Sequence, residues 1–177
     1  DAVVPYLISS GIRYVRNTPD MTAASSIVQS NNSNVDLHVA IHSNAAPESA
    51  SGTMRGTDVY HAPIGGLSKK FADIVVRNFK TIYPNPDKVR ALPTTSLGEV
   101  LRTRAPAVLI EVAYHDNFED MTWIANNINS IGRAIALSIT EYFGVPLVTP
   151  QAPQKGIVTV SSGNLNIRSK PSIKASI

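Results

Sequence analysis

The chain has 177 residues, 43% hydrophobic and 16% charged, a balance that suits one packed domain with a modest appendage and excludes general disorder. It has no cysteine, which excludes disulfides, thiolate catalysis and cysteine-ligated zinc and leaves metal chemistry to histidine and carboxylates. The net charge of +3 comes from scattered basic residues and predicts no nucleic-acid partner, and no apolar run approaches the roughly 18 residues of a membrane span.

In chain order, Val3, Tyr6 and Leu7 stand at helical spacing, and Gly11 is placed to stop a helix over 2–10 through a left-handed cap. An opening on DAVVPYLISSG, with no basic leader, reads as the second half of a helix and predicts a truncated N-terminus. Ile12 to Arg16 alternates as a short strand. A turn at 17–20 leads into a helix over 22–29, capped by Asp20 or Thr22, that fades into a polar run. Val35 to Ile41 is β-branched and apolar, the best candidate for a central buried strand, with His42 at its carboxyl end.

Thr57 to His61 reads as another strand. Gly66 to Ile82 reads as a long helix with Leu67, Phe71, Ile74, Val75 and Phe79 on one face. The three prolines between Tyr83 and Thr95 predict irregular chain. Ala107 to Val112 is a second strongly apolar strand, with Glu111 near its carboxyl end. Helices are expected at 119–126 and 128–143, the last closed by Gly144. Alternating strands and helices imply an α/β fold, a mostly parallel twisted sheet flanked by helices. Residues 145–155 read as a proline-rich linker, and 156–177 as the opening of a second domain too short to bury a core.

In open α/β sheets, functional groups gather past the carboxyl ends of strands, where His42 and Glu111 are both expected. The pair suits a hydrolytic metal site in which the imidazole binds the ion and the carboxylate takes a proton from water. An ionised Glu111 inside AVLIEVA is costly unless a cation or hydrogen bonds compensate; the competing reading is a structural ion pair with Arg102 or Arg104. For His42, position alone also allows a surface or satisfied histidine. His38 and His42 are four apart, the spacing of a shared zinc on a helix. On a strand rising roughly 3.3 Å per residue they lie about 13 Å apart, so His38 is read as packing. His61 and His115 are read as lone histidines at strand ends or in loops.

DLHVAIHSNA, GTDVYH and LRTRAPAVLIEVAYHDN, in that order, resemble three segments of the family-3 zinc amidases of bacterial cell walls and phage lysins: an aspartate-led strand ending in His-Ala-Asn, a Gly-Thr-Glu-Val-Tyr strand, and a Leu-Arg then Pro-Ala-Val-Leu-Val-Glu strand. IRYVRNTPD and IGRAIALSITEYFG add matches, so the likeness runs from Asp1 to about Gly144. Departures are mild: Ser43 stands for the common alanine and Ala113-Tyr114 for Gly-Phe. GNLNIRSKPS resembles the start of bacterial Src-homology-3-like wall-binding domains.

The resemblance implies an N-acetylmuramoyl-L-alanine amidase domain over 1–144 whose first strand is missing from this chain. It implies zinc as cofactor and peptidoglycan as substrate. His42 matches a zinc-binding histidine and Glu111 the catalytic general base, with two further zinc ligands upstream of Asp1. Arg102 is a candidate for binding a peptide carboxylate or the oxyanion, with pairing to Glu111 or Glu99 as the alternative. A secreted or wall-associated monomer is expected, or a cytoplasmic one until lysis if it is a prophage lysin. The rivals are a catalytically dead, wall-binding amidase fold and a metallocarboxypeptidase-like hydrolase, which the AVLIEVAYHDN context fits poorly.

Overall fold

A computed structural model of the chain describes residues 1–151. Its strands are β1 (His38–Asn44), β2 (Thr57–His61), β3 (Val89–Pro93) and β4 (Ala107–Tyr114). Its helices are α1 (Val4–Ser9), α2 (Ala23–Asn32), α3 (Leu67–Phe79), α4 (Gly98–Leu101) and α5 (Phe118–Phe143). The strands form one sheet in the order β1-β4-β2-β3. β1 with β4 and β2 with β3 are parallel, and β2 with β4 is antiparallel. The expected α/β fold with a mostly parallel sheet is therefore present. β4 is the apolar centre, buried along its length except at Glu111, which is half-buried.

One face of the sheet is packed by α3 and α5. Phe71, Val75 and Phe79 of α3 and Ile131, Ile135 and Ile139 of α5 meet Val59, Val108 and Ile110. Burial of each such side chain contributes roughly 1.5–3 kcal/mol. The other face carries a smaller cluster, Ala40 and Leu109 under Val100 of α4, edged by Tyr60 and Leu97. At four residues, α4 is too short to hold itself, because a single turn fixes many dihedrals for few bonds. Asn31 of α2 pins it: the Asn31 side-chain amide donates to the Arg102 carbonyl at 3.0 Å, and its oxygen accepts from the Arg104 N–H at 2.8 Å.

Both glycine caps form as the sequence predicts. At Gly11 (φ +72°) the N–H of Ile12 reaches the Leu7 carbonyl at 2.9 Å and that of Gly11 the Ile8 carbonyl at 3.1 Å, a paired closure that needs a left-handed residue. Gly144 closes α5 at φ +70°. Thr22 caps α2, exchanging hydrogen bonds with Ser25.

Three expectations are corrected. Ile12 to Arg16 is not a strand; it has no ladder partner among the described residues, and Tyr14 and Val15 stand 45% and 52% exposed. The segment 83–95 is not wholly irregular, since it contains β3. Its prolines fall where a strand tolerates them: Pro84 and Pro86 precede it and Pro93 ends it at the sheet edge. The strand expected at 35–41 starts three residues later, because α2 runs on to Asn32 and a left-handed turn at Asn34 (φ +47°) follows; His42 thus lies inside β1. The break expected between the two final helices is present: α5 consists of two helical stretches that meet at a kink at Asn127 (φ −123°, ψ 18°), whose side chain donates to the Trp123 carbonyl at 2.9 Å and competes with the helical ladder.

Beyond α5 the chain is irregular through residue 151, with the Val148 N–H donating to Ser10 Oγ at 2.9 Å. The rest of the expected linker and the expected second domain lie outside the described residues.

Candidate functional site

Register aligns the charged residues of the sheet. His42 of β1 pairs with Glu111 of β4, Glu111 with Asp58 of β2, and Asp58 with Arg90 of β3. Residues paired across a ladder share a face, so the four form one row across the four strands. The row lies on the face covered by α4, beyond the small apolar cluster. The alternation that buries Ala40 and Leu109 beneath α4 brings His42 and Glu111, two residues further along each strand, to the same side.

Glu111 is the exposed flank of that cluster and the least satisfied acid in the row. Its Oε2 is buried with no hydrogen-bond partner among the described residues. Burial pushes its carboxyl above the usual range; His42 and His115 oppose the rise and Asp58 adds to it. Asp58 is itself almost fully buried and is held by Arg90, 2.7 Å from Arg90 Nη2 and 2.9 Å from Nε, with the Tyr114 hydroxyl donating at 3.4 Å. Burial first, then Asp58, pushes the Tyr114 hydroxyl up to about 12. A proton-hungry carboxylate thus stands between an imidazole and a neutralised aspartate.

Glu99 comes over the row from α4. Its Oε2 is 3.0 Å from His42 Nε2 and its Oε1 3.8 Å from His38 Nε2. His38 Nε2 is buried and has no hydrogen-bond partner among the described residues, and burial lowers the affinity of that ring for a proton, against the pull of Glu99. The two histidines, read as too distant for one ion, therefore flank one carboxylate. Among the described residues, no three histidine, aspartate or glutamate side chains converge closely enough to hold a metal ion.

The remaining candidates fall elsewhere. His61 is buried, and its Nδ1 donates to the Ala62 carbonyl at 2.7 Å; three residues along β2 from Asp58, it faces away from the row. His115 stands at the rim, with Nδ1 3.0 Å from Ser43 Oγ. Arg102 is exposed at the C-terminal cap of α4, and among the described residues neither it nor Arg104 forms a salt bridge to Glu99 or Glu111, which removes the ion-pair reading of Glu111. Sequence reasoning missed the part played by Asp58, Arg90 and Glu99. The first two are visible only once register is known, and Glu99 lies in a helix too short to show periodicity.

In kind, these residues fit a zinc ion: an imidazole, a buried carboxylate behind it, and a second carboxylate with a free oxygen alongside. In number they fall short of the three protein ligands that a catalytic zinc takes. His42 is the residue placed to contribute one of them.

A family model described as N-acetylmuramoyl-L-alanine amidase matches residues 6–141. Among solved structures, the chain is similar to Cwp6 from Clostridium difficile, at 26% identity and a TM-score of 0.68 over 80% of this chain and 24% of that one. It is also similar to an N-acetylmuramoyl-L-alanine amidase from Clostridium difficile 630, at 19% identity and a TM-score of 0.71 over 81% and 78% of the two chains. The catalytic domain of CwlV, an N-acetylmuramoyl-L-alanine amidase from Bacillus (Paenibacillus) polymyxa var. colistinus, shares 22% identity with a TM-score of 0.67 over 82% of each chain. These last two likenesses speak to the fold. The chain spans about a quarter of the length of Cwp6. No curated protein sequence matches it.

Proposed function

Because the chain belongs to the N-acetylmuramoyl-L-alanine amidase family, we propose that it hydrolyses the amide joining N-acetylmuramic acid to the L-alanine of the peptidoglycan stem peptide. The observation that carries the reading is Glu111: a half-buried carboxylate with an orphaned oxygen, in register beside His42, inside the span the family model matches. A buried acid left without a partner costs stability, and such groups cluster where chemistry is done.

Zinc is proposed as the cofactor, with His42 as one ligand and the two others upstream of Asp1. The chemistry a bound zinc supplies is acidification of water and polarisation of a carbonyl. Glu111 takes the proton from the attacking water on its free oxygen and returns it to the alanine nitrogen as the C–N bond breaks. Its raised proton affinity suits both halves of the cycle, since a carboxylate of ordinary pKa is a poor base near neutral pH. Arg90 neutralises Asp58 and so limits the repulsion that a second bare carboxylate would impose on Glu111. Arg102, exposed beside α4, is proposed to meet a carboxylate of the stem peptide. Residues 156–177 are proposed to open a wall-binding domain, and the protein to act as a monomer at the cell wall, outside the cell or upon lysis. No described helix is long and apolar enough to cross a membrane.

One observation favours a second reading, a wall-binding domain without catalysis: the described residues do not complete a metal site. Release of new L-alanine amino termini from purified peptidoglycan separates the two. With zinc, a chain extended upstream should release them; Glu111→Gln should cut release by about 10²- to 10⁴-fold, His42→Ala should reduce it severely, and His38→Ala should keep most of it. Sedimentation with peptidoglycan but no release from the extended chain would establish the binding reading. Full activity from a chain beginning at Asp1 would place the missing ligands elsewhere.

A further inference from the structure

Glu99 has a role that neither the sequence motifs nor the family match assigns. Its side chain is 11% exposed, yet no lysine or arginine pairs with it among the described residues. Among the described residues its carboxylate pairs with the two imidazoles alone, His42 at 3.0 Å and His38 at 3.8 Å. At 3.0 Å, two lone pairs facing each other would repel, whereas an N–H directed at a carboxylate is a charge-assisted hydrogen bond. The proton therefore sits on Nε2 of His42. In a neutral imidazole that leaves Nδ1 as the acceptor and the only nitrogen with a free lone pair. Nδ1 makes no hydrogen bond among the described residues, and the His42 side chain is 45% exposed.

We propose that Glu99 is the positioning residue for His42: it grips Nε2–H from α4, fixes tautomer and ring orientation, and presents Nδ1 as the nitrogen that meets a zinc ion. The part concerning zinc rests on the amidase reading; the part concerning the tautomer does not. The grip is rigid because its support is rigid. α4 is pinned at its C-terminal end by both atoms of the Asn31 side-chain amide, the Thr103 hydroxyl donates to the Glu99 carbonyl at 3.0 Å, and Val100 packs onto Ala40 and Leu109. Carboxylates that hold the far nitrogen of a ligating histidine raise its basicity, and their loss weakens metal binding roughly 10- to 100-fold.

The direct test is nitrogen NMR of the histidine rings in the metal-free chain. His42 should carry its proton on Nε2, and His61, whose Nδ1 donates to Ala62, supplies the opposite tautomer as an internal standard in the same spectrum. Glu99→Ala should turn the His42 pattern into a mixture while His61 is unchanged. Glu99→Gln, which keeps an acceptor oxygen but not the charge, should retain more of the Nε2–H form than alanine. Competition titration of zinc into the upstream-extended chain should show weaker binding in the order wild type, glutamine, alanine, with alanine roughly 10- to 100-fold down. A wild-type His42 protonated on Nδ1 would overturn the proposal without any variant having to fold. So would a His42 tautomer that ignores Glu99→Ala while His61 reports an intact fold. An inactive protein with the expected tautomer would instead overturn the amidase reading and leave the positioning role standing.

Discussion

Glu111 and Asp120 both follow from the central strand, one within it and the other at the start of α5, and their surroundings differ in almost every respect. Asp120 is fully buried and saturated: the Gly56 and Tyr114 backbone N–H groups donate to it at 2.9 and 3.1 Å, the Tyr83 hydroxyl and Arg55 Nε join them, and the amino-terminal end of α5 lies behind it. Glu111 is half-buried, with one oxygen that has no partner and a neighbour, Asp58, of its own sign. A saturated acid fastens strands, helix and loop together and has no lone pair to spare. An unsaturated one weakens the fold slightly and keeps a lone pair for a proton in transit.

The sharpest way to break that contrast is to neutralise each acid in turn. Glu111→Gln should lower amidase activity by about 10²- to 10⁴-fold, the range of general-base catalysis, without lowering the melting temperature. Its folded pKa is raised, so the native state binds the proton more tightly than the unfolded chain. Stability is then fullest at acid pH and declines as pH rises through the shifted value, and glutamine escapes that decline. Metal-free Glu111→Gln should therefore melt higher than wild type at neutral pH, with the gain vanishing under acid conditions. A lower melting temperature at neutral pH would show that the carboxylate is structural.

Asp120→Ala should do the reverse, leaving activity per folded molecule unchanged while stranding two backbone amides and a tyrosine hydroxyl in the interior. Each orphaned buried donor costs roughly 1–3 kcal/mol, so the three together predict a loss of about 3–9 kcal/mol in urea unfolding. That is a large share of the 5–15 kcal/mol that typically separates folded from unfolded chains. Catalysis lost in proportion to folded protein fits the contrast; catalysis lost from fully folded protein would not.

Much of this frame is legible in the residues themselves. AVLIEV and TDVYH announce buried strands because β-branched and apolar residues run unbroken between turn formers, and Gly11 and Gly144 mark helix ends because only glycine adopts the cap without strain. Glu111 stands out because it is the one charge in the most apolar run of the chain. The rest depends on pairings that composition does not encode. Asp58 and Arg90 join the row only through the β4-β2-β3 register, and β3 is concealed among prolines because an edge strand tolerates residues that a central one rejects. Glu99 is set by Asn31, which bonds the Arg102 carbonyl 71 positions along the chain and so fastens α4 at its far end. Ile12 to Arg16 shows the opposite failure, a strand-like pattern with no ladder to join among the described residues.

The smallest expected effect concerns a third acid, between the other two in sequence, that acts through its charge alone. Asp116 accepts from the Gly52 N–H at 2.9 Å, the Ala46 N–H at 3.2 Å and the Ser51 hydroxyl at 3.4 Å. It ties the loop that leaves β1 just beyond His42 to the turn that enters α5. The Gly52 N–H, first among these donors, holds its carboxyl below the usual range. A depressed folded pKa means that the unfolded chain binds the proton more tightly, so the contribution is complete above the ordinary carboxylate pKa and is lost as pH falls through the folded value. Asp116→Asn should therefore melt lower than wild type near pH 7, and the two curves should converge as the pH falls through the depressed folded value. Because Asp116 is only partly buried, the gap should also shrink with added salt. Amide exchange at Gly52 should quicken in the variant near pH 7, while exchange in β4 stays unchanged. A gap that is constant across pH would mean that the shape of the hydrogen bonds, not the charge on the carboxylate, holds the loop beside the site.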